Sequence, residues 1–438
     1  MELFTGLKRT AAHAFRDCTN LVSARLPEGL TEIGERLFQN CTSLTSVNLP
    51  ESLTKIGAFI INGTPLEIEV NFPNLTSFGS HAFYESGVTK IHSLGKITIL
   101  SYRSCYGCKK LTSVVIPDTV TTIDAEVFQG CTALAEINLP KSINTIGGSS
   151  FNKVPAPMVV DLPNLVSLGN VAFSTSGVVS VVNWGKITTI GNNCFDKCSN
   201  LESVPFNDGF TSIGNYAFRL CSTLVIDELS LPKLTSIGLY AFQDVKIGKI
   251  TNLGTITSIP EYCFSGNPNL TSVVLPETIT ELGKSCFGNC TNLVDINLPK
   301  SIKVMDSAFQ GTIVNMVVDL PNLESIGANA FLNTNIERVE SLGKITTLSY
   351  AFDGCKRLYY MKLPSSITEI TYAAFRNCYS LQTIICEAIT PPTIQDIFIN
   401  TSDSFLIYVP DASVSAYKSA TNWSKYASRI KPLSELPE

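Results

Sequence analysis

Cysteine is the residue type in this chain that could do chemistry most directly, because a thiolate can bind a metal ion or form a disulfide. The 438-residue sequence contains 14 cysteines. Nine occupy one position of a repeated segment, three residues after a recurring phenylalanine or its replacement: Cys18, Cys41, Cys108, Cys131, Cys198, Cys221, Cys290, Cys355 and Cys378. Since one repeated position accounts for nine cysteines, we interpret them as small side chains that pack in an interior.

Two chemical alternatives stay open for the cysteines: a disulfide framework, and a zinc site at Cys105-x-x-Cys108. The zinc interpretation lacks a second Cys or His pair at a suitable spacing. Disulfides between neighbouring repeats are disfavoured, because the side chains would point in the same direction. We therefore predict that most of these thiols are reduced and buried, and that the protein binds no metal and no cofactor.

The histidines and carboxylates do not form a recognisable catalytic set. The three histidines are His13, His81 and His92, and the first two come just before a recurring phenylalanine. The sequence contains no Ser-His-Asp order, G-x-S-x-G motif, phosphate-binding loop or G-x-G-x-x-G motif. Acidic residues such as Asp118 and Glu277 recur after the proline of each repeat, which is typical of a solvated turn. These patterns predict that the protein is not an enzyme.

The elements that position these residues are repeats of about 23 residues. Residues 21–43, LVSARLPEGLTEIGERLFQNCTS, show the pattern of L-x-x-V/A-x-L-P, then L-T-x-I-G, a phenylalanine and Asn-Cys. The phenylalanine recurs at Phe15, Phe38, Phe83, Phe128, Phe151, Phe173, Phe195, Phe218, Phe242, Phe264, Phe287, Phe309, Phe331, Phe352 and Phe375. Weaker repeats with Phe59 or Ile60, and with Cys105, fill the two gaps and bring the total to about 17. This period and leucine spacing predict a leucine-rich-repeat solenoid.

Each repeat predicts two short strands and one turn. The L-x-x-V-x-L segment is expected to be a strand with inward apolar side chains, which ends at its proline. The L-T-x-I-G segment is expected on the opposite wall, with a glycine, as at Gly34, where a side chain would obstruct the backbone. The segment around the phenylalanine is expected to be a single helical turn. Stacked repeats then predict a right-handed, horseshoe-like, mostly β solenoid with a parallel sheet on its concave wall.

A longer period lies above the 23-residue repeat. The motif LPNL or LPKL occurs at Pro73, Pro163, Pro232 and Pro321, in steps of 90, 69 and 89 residues. The steps correspond to four, three and four repeats, which indicates tandem duplication of a four-repeat block with one repeat lost. A stackable repeat permits such duplication, because each repeat contacts only its neighbours.

Composition excludes several classes of protein. Charged residues make up 16% and hydrophobic residues 44% of the chain, and the net charge is −5. Without a basic patch we expect no nucleic-acid partner, and no apolar run is long enough for a membrane span. The first 30 residues lack a signal-peptide pattern. We interpret the chain as trimmed of a leader, so its expected location is extracellular or on the cell surface.

The repeat pattern ends near residue 386, which predicts a solenoid over residues 1–385 and a capping segment over residues 386–438. The tail contains a strand-like piece, Phe405–Val409, and a predicted helix from Ser413 to Tyr426. We expect Tyr408, Tyr417 and Trp423 to cover the last coil, because a solenoid needs its terminal core layer closed.

The repeats LPESLTKIG…F…NCTSL resemble the BspA-like leucine-rich-repeat family of bacterial and protist surface antigens. The tail I-Y-V-P-D…Y-K…W-S-x-Y-A-x-x-I-x-P resembles the segment that follows such repeats in gut Bacteroides-type proteins. The resemblance implies a secreted or cell-surface protein that binds a protein or glycan of a host or neighbouring cell, including host extracellular matrix.

One outward position of the first strand, between its second and third inward residues, is polar or small in most repeats. We predict that this column binds a macromolecule on the concave face through Asn48, His92, Asn138, Asp161, Asn297, Asp319 and Glu340. The alternative is a structural spacer or surface-layer protein without a specific ligand, in which the column is only exposed to solvent.

Overall fold

The computed structural model describes residues 6–437, which wind into a parallel-strand solenoid of about 18 turns spaced about 23 residues apart. The predicted fold class is thereby confirmed. The chain divides into two compact units. Unit 1 comprises Met1–Pro205 and Tyr216–Leu224, and unit 2 comprises Phe206–Asn215 and Val225–Glu438. That wall A is concave, and that the chain divides at residue 386, stay predictions.

Wall A is built from the L-x-x-V-x-L segments, whose strands pair in parallel one coil apart; the first pair aligns Ala24 with Val47. Its strands in unit 1 are Ser23–Arg25, Ser46–Asn48, Glu67–Asn71, Gly87–Ser93, Ser113–Val114, Glu136–Ile137, Met158–Asp161 and Val178–Asn183. Its strands in unit 2 are Val225–Ser230, Lys246–Asn252, Ser272–Val273, Asp295–Ile296, Val317–Asp319, Arg338–Ser341, Tyr360–Leu363, Thr383–Cys386, Leu406–Val409 and Ile430–Pro432.

Wall B is built from the L-T-x-I-G segments, which form two-residue strands with the same parallel pairing, as between Lys55–Ile56 and Ser77–Phe78. Its strands in unit 1 are Glu32–Ile33, Lys55–Ile56, Ser77–Phe78, Ile99–Leu100, Thr122–Ile123, Thr145–Ile146, Ser167–Leu168 and Thr189–Ile190. Its strands in unit 2 are Ser212–Ile213, Ser236–Ile237, Ser258–Ile259, Glu281–Leu282, Val304–Met305, Ser325–Ile326, Thr347–Leu348, Glu369–Ile370 and Thr393–Ile394.

The interior of each unit contains a stack of phenylalanine rings. In unit 1 the rings from Phe128 to Phe218 stack in sequence with centroids 5.1–5.7 Å apart. In unit 2 the stack runs from Phe242 to Phe398 with centroids 5.3–6.2 Å apart. Each ring comes from the same position of successive coils, so the sequence register of the phenylalanines is the register of the core.

A third side, which we call the turn wall, is formed by the segments around each phenylalanine. These segments are runs of turns with left-handed residues on both sides of the phenylalanine, such as Arg36 (φ 54°) and Asn40 (φ 61°) around Phe38. The N–H groups of these three residues donate to carbonyl oxygens of the next coil at 2.7–2.9 Å. A helical turn would direct these N–H groups back along its own segment. The bonds between coils explain why the structure has turns where we predicted a helical turn.

Glycines occur where two coils approach closely. A Cβ atom on Gly57 would lie 2.7 Å from the backbone nitrogen of Glu35, which confirms the predicted obstruction. Gly95 combines both constraints: its φ is +64°, and a Cβ atom there would lie 2.4 Å from the nitrogen of Leu75. A side chain at either position would displace the backbone of the preceding coil.

The tail continues the stacking and adds the helices of the chain. Its α-helix is Val414–Ser419, and its 3-10 helices are Asp411–Ser413, Trp423–Arg429 and Leu433–Glu435. Tyr417 and Trp423 are buried, as predicted, and pack edge to face with ring centroids 5.1 Å apart. Tyr417 donates its hydroxyl to the carbonyl of Ala388, and Trp423 donates its indole N–H to that of Pro392, both at 2.8 Å. The paired donors let the two rings close the interior without unsatisfied polar atoms.

Candidate binding surface

The outward face of wall A carries two columns of side chains. In each strand the residue before the central inward residue and the residue after it both point outward, because side chains alternate along a strand. Around Val47, for example, these are Ser46 and Asn48. We call the residues before the inward one the first column and the residues after it the second column. The predicted site residues all belong to the second column.

The three predicted asparagines bind the backbone of the preceding coil. Asn48 accepts a bond from the N–H of Leu26 at 2.7 Å and donates to the carbonyl of the same residue at 2.9 Å. Asn138 makes the same two bonds to Ile116, both at 2.7 Å. Asn297 makes them to Leu275 at 2.6 and 2.9 Å. Because each amide satisfies an N–H and a C=O group just beyond the strand, these side chains stabilise the stack directly. A ligand-binding role for them stays a prediction.

The predicted charged residues form ion pairs across coils or along a strand. His92 Nε2 lies 2.9 Å from Glu69 Oε2, and Lys90 binds the other oxygen of the same carboxylate at 3.0 Å. Asp161 pairs with Lys141, and Asp319 with Lys300, both at 2.8 Å. Glu340 pairs with Arg338 of its own strand.

The first column was missed by the sequence analysis. It contains Glu69, Lys90 and Arg338, which bind predicted residues, and the exposed Val159 and Val317. The signal that could have found these residues is the alternation that identified the second column, since the residue before the inward one must also face outward. The surface is therefore two residues wide in each coil.

Ion pairing shifts the titration of several of these groups. Hydrogen bonds from His92 and then from Lys90 lower the pKa of the Glu69 carboxyl. Bonds from Lys249 and Thr251 lower the pKa of Glu228 in the same way. All of these side chains are exposed, so solvent and salt screen the pairs. The face is a mixed-charge binding surface without the desolvated, unpaired group expected of an acid or base catalyst.

The interior cysteines are hydrogen-bond donors to the backbone. Thirteen of the 14 cysteines are buried, and Cys18 is exposed. The thiol of Cys198 donates to the carbonyl of Phe173 at 2.9 Å, and that of Cys290 donates to Phe264 at 3.1 Å. In other repeats the same position holds a different small donor: Ser86, Asn267, Thr312 and Thr334. The position therefore requires a small side chain with a donor, and the hydroxyl and amide residues were the signal for this.

Burial makes these thiols unreactive. It raises the pKa of Cys198 to about 11 and that of Cys290 to about 12, so both stay protonated at neutral pH. At Cys105-x-x-Cys108 both side chains are buried too. Burial raises the pKa of Cys105, whereas a hydrogen bond with Cys131 lowers that of Cys108. Across residues 6–437, no group of three or more His, Cys, Asp or Glu side chains is placed to hold a metal ion.

The turn wall of unit 1 carries a group of partly exposed rings, Phe59, His81, Tyr84, Tyr102 and Tyr106, which we call the aromatic patch. His81 stacks on Phe59 with centroids 4.6 Å apart, and Tyr84 stacks on Tyr106 at 5.1 Å. Burial and then the nearby charge of Arg103 lower the pKa of His81. Each ring face is covered by a neighbouring ring, so the patch presents mainly ring edges to solvent.

Together the walls define a leucine-rich-repeat solenoid with a two-column outward face. A family model described as BspA type Leucine rich repeat region (6 copies) matches residues 1–108, 98–225, 189–317 and 302–404. The chain therefore belongs to this family, which confirms the resemblance seen in the sequence. A search of curated proteins found no match. No helix within residues 6–437 is both long and apolar enough to cross a membrane.

Solved structures of bacterial leucine-rich-repeat proteins are similar to this chain. One is a leucine-rich repeat protein from Bacteroides ovatus, with 22% identity over 76% of this chain and 87% of that chain and a TM-score of 0.48. Another is a leucine rich cell surface protein from Faecalibacterium prausnitzii, with 22% identity over 86% and 83% of the two chains and a TM-score of 0.28. A leucine-rich repeat protein from Eubacterium ventriosum has 21% identity over 86% and 82%, with a TM-score of 0.28.

Proposed function

We propose that this chain is a non-catalytic binding module that recognises a macromolecule, a protein or glycan, through the outward face of wall A. The observation that carries the proposal is the contrast between the two faces of the same strands. Inward positions stay apolar in every coil, whereas neighbouring outward positions change from serine to glutamate, lysine, valine, arginine and tyrosine. A spacer needs only a uniform outward column that seals the stack, as the asparagines do.

The chemistry of the face suits recognition better than catalysis. Parallel strands hold the side chains in register about 4.8 Å apart from coil to coil. Charges of both signs, such as Lys141 with Asp161, alternate with exposed valines such as Val115. Many weak contacts on a rigid face can sum to specific binding, with no deep pocket required.

Family membership supports a location outside the cell. The family consists of leucine-rich repeat regions, and a similar solved structure is a cell surface protein. We accordingly propose a secreted or surface-attached protein whose ligand is a molecule of a neighbouring or host cell, including extracellular matrix.

The test is a binding panel of immobilised extracellular-matrix proteins and cell-surface glycans, measured by surface plasmon resonance with the full chain. We expect at least one member to bind, and to lose affinity when Glu136, Val159 and Asp161 are replaced together. A matched control replaces Tyr106 with serine and Ala125 with lysine on the turn wall. If the control weakens binding and the wall A block does not, wall A is not the binding face. If no member binds, the spacer alternative is favoured.

A further inference from the structure

The long sequence period places two sets of coils in correspondence, one in each unit. Lys90 and Lys249 lie 159 residues apart, and Asp161 and Asp319 lie 158 residues apart. The first set, residues 67–161, belongs to unit 1, and the second set, residues 225–319, belongs to unit 2. The two sets show which faces of the duplicated coils have kept their side chains.

The outward face of wall A has been kept. Its columns in the first set are Glu69, Lys90, Ser113, Glu136 and Val159, then Asn71, His92, Val115, Asn138 and Asp161. Its columns in the second set are Glu228, Lys249, Ser272, Asp295 and Val317, then Ser230, Thr251, Val274, Asn297 and Asp319. Seven of the ten residues are identical, and an eighth replaces glutamate by aspartate.

Contacts on this face are also kept. The Lys90–Glu69 pair at 3.0 Å corresponds to the Lys249–Glu228 pair at 2.7 Å. The third group on the carboxylate changes type but keeps its role. It is His92 at 2.9 Å in the first set and the Thr251 hydroxyl at 2.8 Å in the second.

The exposed valines correspond as well. Val115 and Val274 are both 53% exposed, while Val159 and Val317 are 53% and 55% exposed. Packing does not require valine at such positions, because threonine, isoleucine or tyrosine suits an exposed strand equally well.

The turn wall of the same coils has changed. Partly exposed residues of the first set are replaced at every compared position: Tyr102 by Glu261, Arg103 by Tyr262, Tyr106 by Ser265, Ala125 by Lys284, Glu126 by Ser285 and Gln129 by Gly288. Wall B shows the same drift at Ile99, where the second set has Ser258. Duplication by itself would preserve all faces alike, so the retention on wall A reflects a constraint that acts on that face.

We propose that each unit carries one copy of the same protein-binding site on wall A, so that one chain binds two ligand molecules or two repeats of one ligand. The proposal rests on the proposed function, and it specifies the partner as a protein. Val115 and Val159, with Val274 and Val317 in the second copy, form the apolar centre. The pairs Lys90–Glu69 and Lys141–Asp161, with their counterparts, form the charged rim.

This combination is the anatomy of a protein interface, in which an apolar centre is surrounded by charges of both signs. Saccharides stack on aromatic faces, and the two columns of both sets, which the structure describes completely, contain no Phe, Tyr or Trp. The charges are already paired within the chain, so they would orient a partner of mixed charge without attracting a strongly acidic or basic one.

The test uses a phage-displayed library of random peptides, panned on the intact chain, and the enriched peptides are then synthesised. Calorimetry is expected to find two peptides per chain with affinities equal within about threefold. The unit 1 block, Val115→Arg with Val159→Arg, and the unit 2 block, Val274→Arg with Val317→Arg, should each leave one peptide bound. Both blocks together should weaken binding by about tenfold or more.

Two controls keep the outcome interpretable. Tyr106→Ser with Ala125→Lys transfers turn-wall residues of the second set to the first and should keep two peptides bound. If an arginine block disturbs the circular-dichroism melting curve, threonine at the four valines keeps strand shape and should still lower affinity.

The alternative outcomes separate this proposal from the function on which it rests. One peptide per chain, lost on a single block, overturns the duplication and leaves wall A as a binding face. Peptides that bind the doubly blocked chain as well as the original overturn wall A as the site. Failure to enrich any peptide overturns the choice of a protein ligand, and leaves glycan binding to be decided by the panel of glycans.

Discussion

The turn walls of the two duplicated sets of coils differ in their exposed side chains, whereas wall A of the same coils is nearly unchanged. In unit 1 the aromatic patch stacks His81 on Phe59 and Tyr84 on Tyr106. In unit 2 the position of His81 holds Tyr240, which stacks on Tyr262 at 4.9 Å, and the tyrosines are absent.

The difference shows that the faces of a coil can change independently. An outward side chain contacts mainly the same position of the coils before and after it, so a column evolves as a unit with little effect on other columns. The interior column is held by packing and wall A by a further constraint, while the turn wall has neither. This ranking can be tested by matched substitutions in the two units.

The largest effect is expected in the interior, where the two units should behave alike. Phe173→Ala in unit 1 and Phe287→Ala in unit 2 each remove a buried ring from the stack and should each cost about 3–5 kcal/mol. Chemical denaturation followed by circular dichroism measures the loss. Val159→Ala, at an exposed position, is the control and should cost under about 0.5 kcal/mol. A loss below about 1 kcal/mol at either phenylalanine would mean that the stack is not the core.

The asparagines of wall A should rank second and should also match between units. Asn138→Ala and Asn297→Ala each leave a backbone N–H and C=O group of the preceding coil without a partner. The expected cost is about 1–3 kcal/mol in each case. Asn138→Asp keeps the acceptor and removes the donor, so it should fall between the original protein and the alanine variant. Equal stability of all three proteins would show that water replaces the amide without loss.

The aromatic patch should show a smaller effect, and one that differs between the units. Tyr84→Ala removes the ring stacked on Tyr106 and should cost about 0.5–1.5 kcal/mol. Gln243→Ala, at the corresponding position of unit 2, should change the unfolding free energy by less than about 0.5 kcal/mol. Tyr84→Phe keeps the ring and should behave like the original protein. Similar losses at Tyr84 and Gln243 would show that the rings add nothing specific to unit 1.

The smallest effect concerns the wall A carboxylates and depends on pH. Hydrogen bonds lower the folded-state pKa of Glu69 and Glu228 below the ordinary value of 4.5. The stabilisation is therefore fully present above pH 4.5 and is lost as the pH falls through the lowered folded pKa. Glu69→Gln and Glu228→Gln should each lower Tm slightly at pH 7, and not at all below the folded pKa. Salt should shrink both differences, so a salt-independent difference would contradict ion pairing as the cause.

Much of the fold was predictable because its signals are local. The alternation in L-x-x-V-x-L identified the strands of wall A, and the spacing of the phenylalanines gave the register of the interior stack. The glycine at Gly57 and the interior cysteines were also interpreted correctly, because close approach and small volume select these residue types. The turns were not predicted, since the sequence does not show that N–H groups such as that of Phe38 bond to the next coil.

The candidate surface was only half predictable. Sequence alone determined that the chain is a stack of similar coils with one column facing outward, because the period and the apolar alternation are properties of each repeat by itself. Tertiary structure alone decided that Asn138 binds the backbone at Ile116 and that Glu69 binds Lys90 and His92. These partners lie 21–23 residues apart in the chain, so only the register between coils brings them into contact.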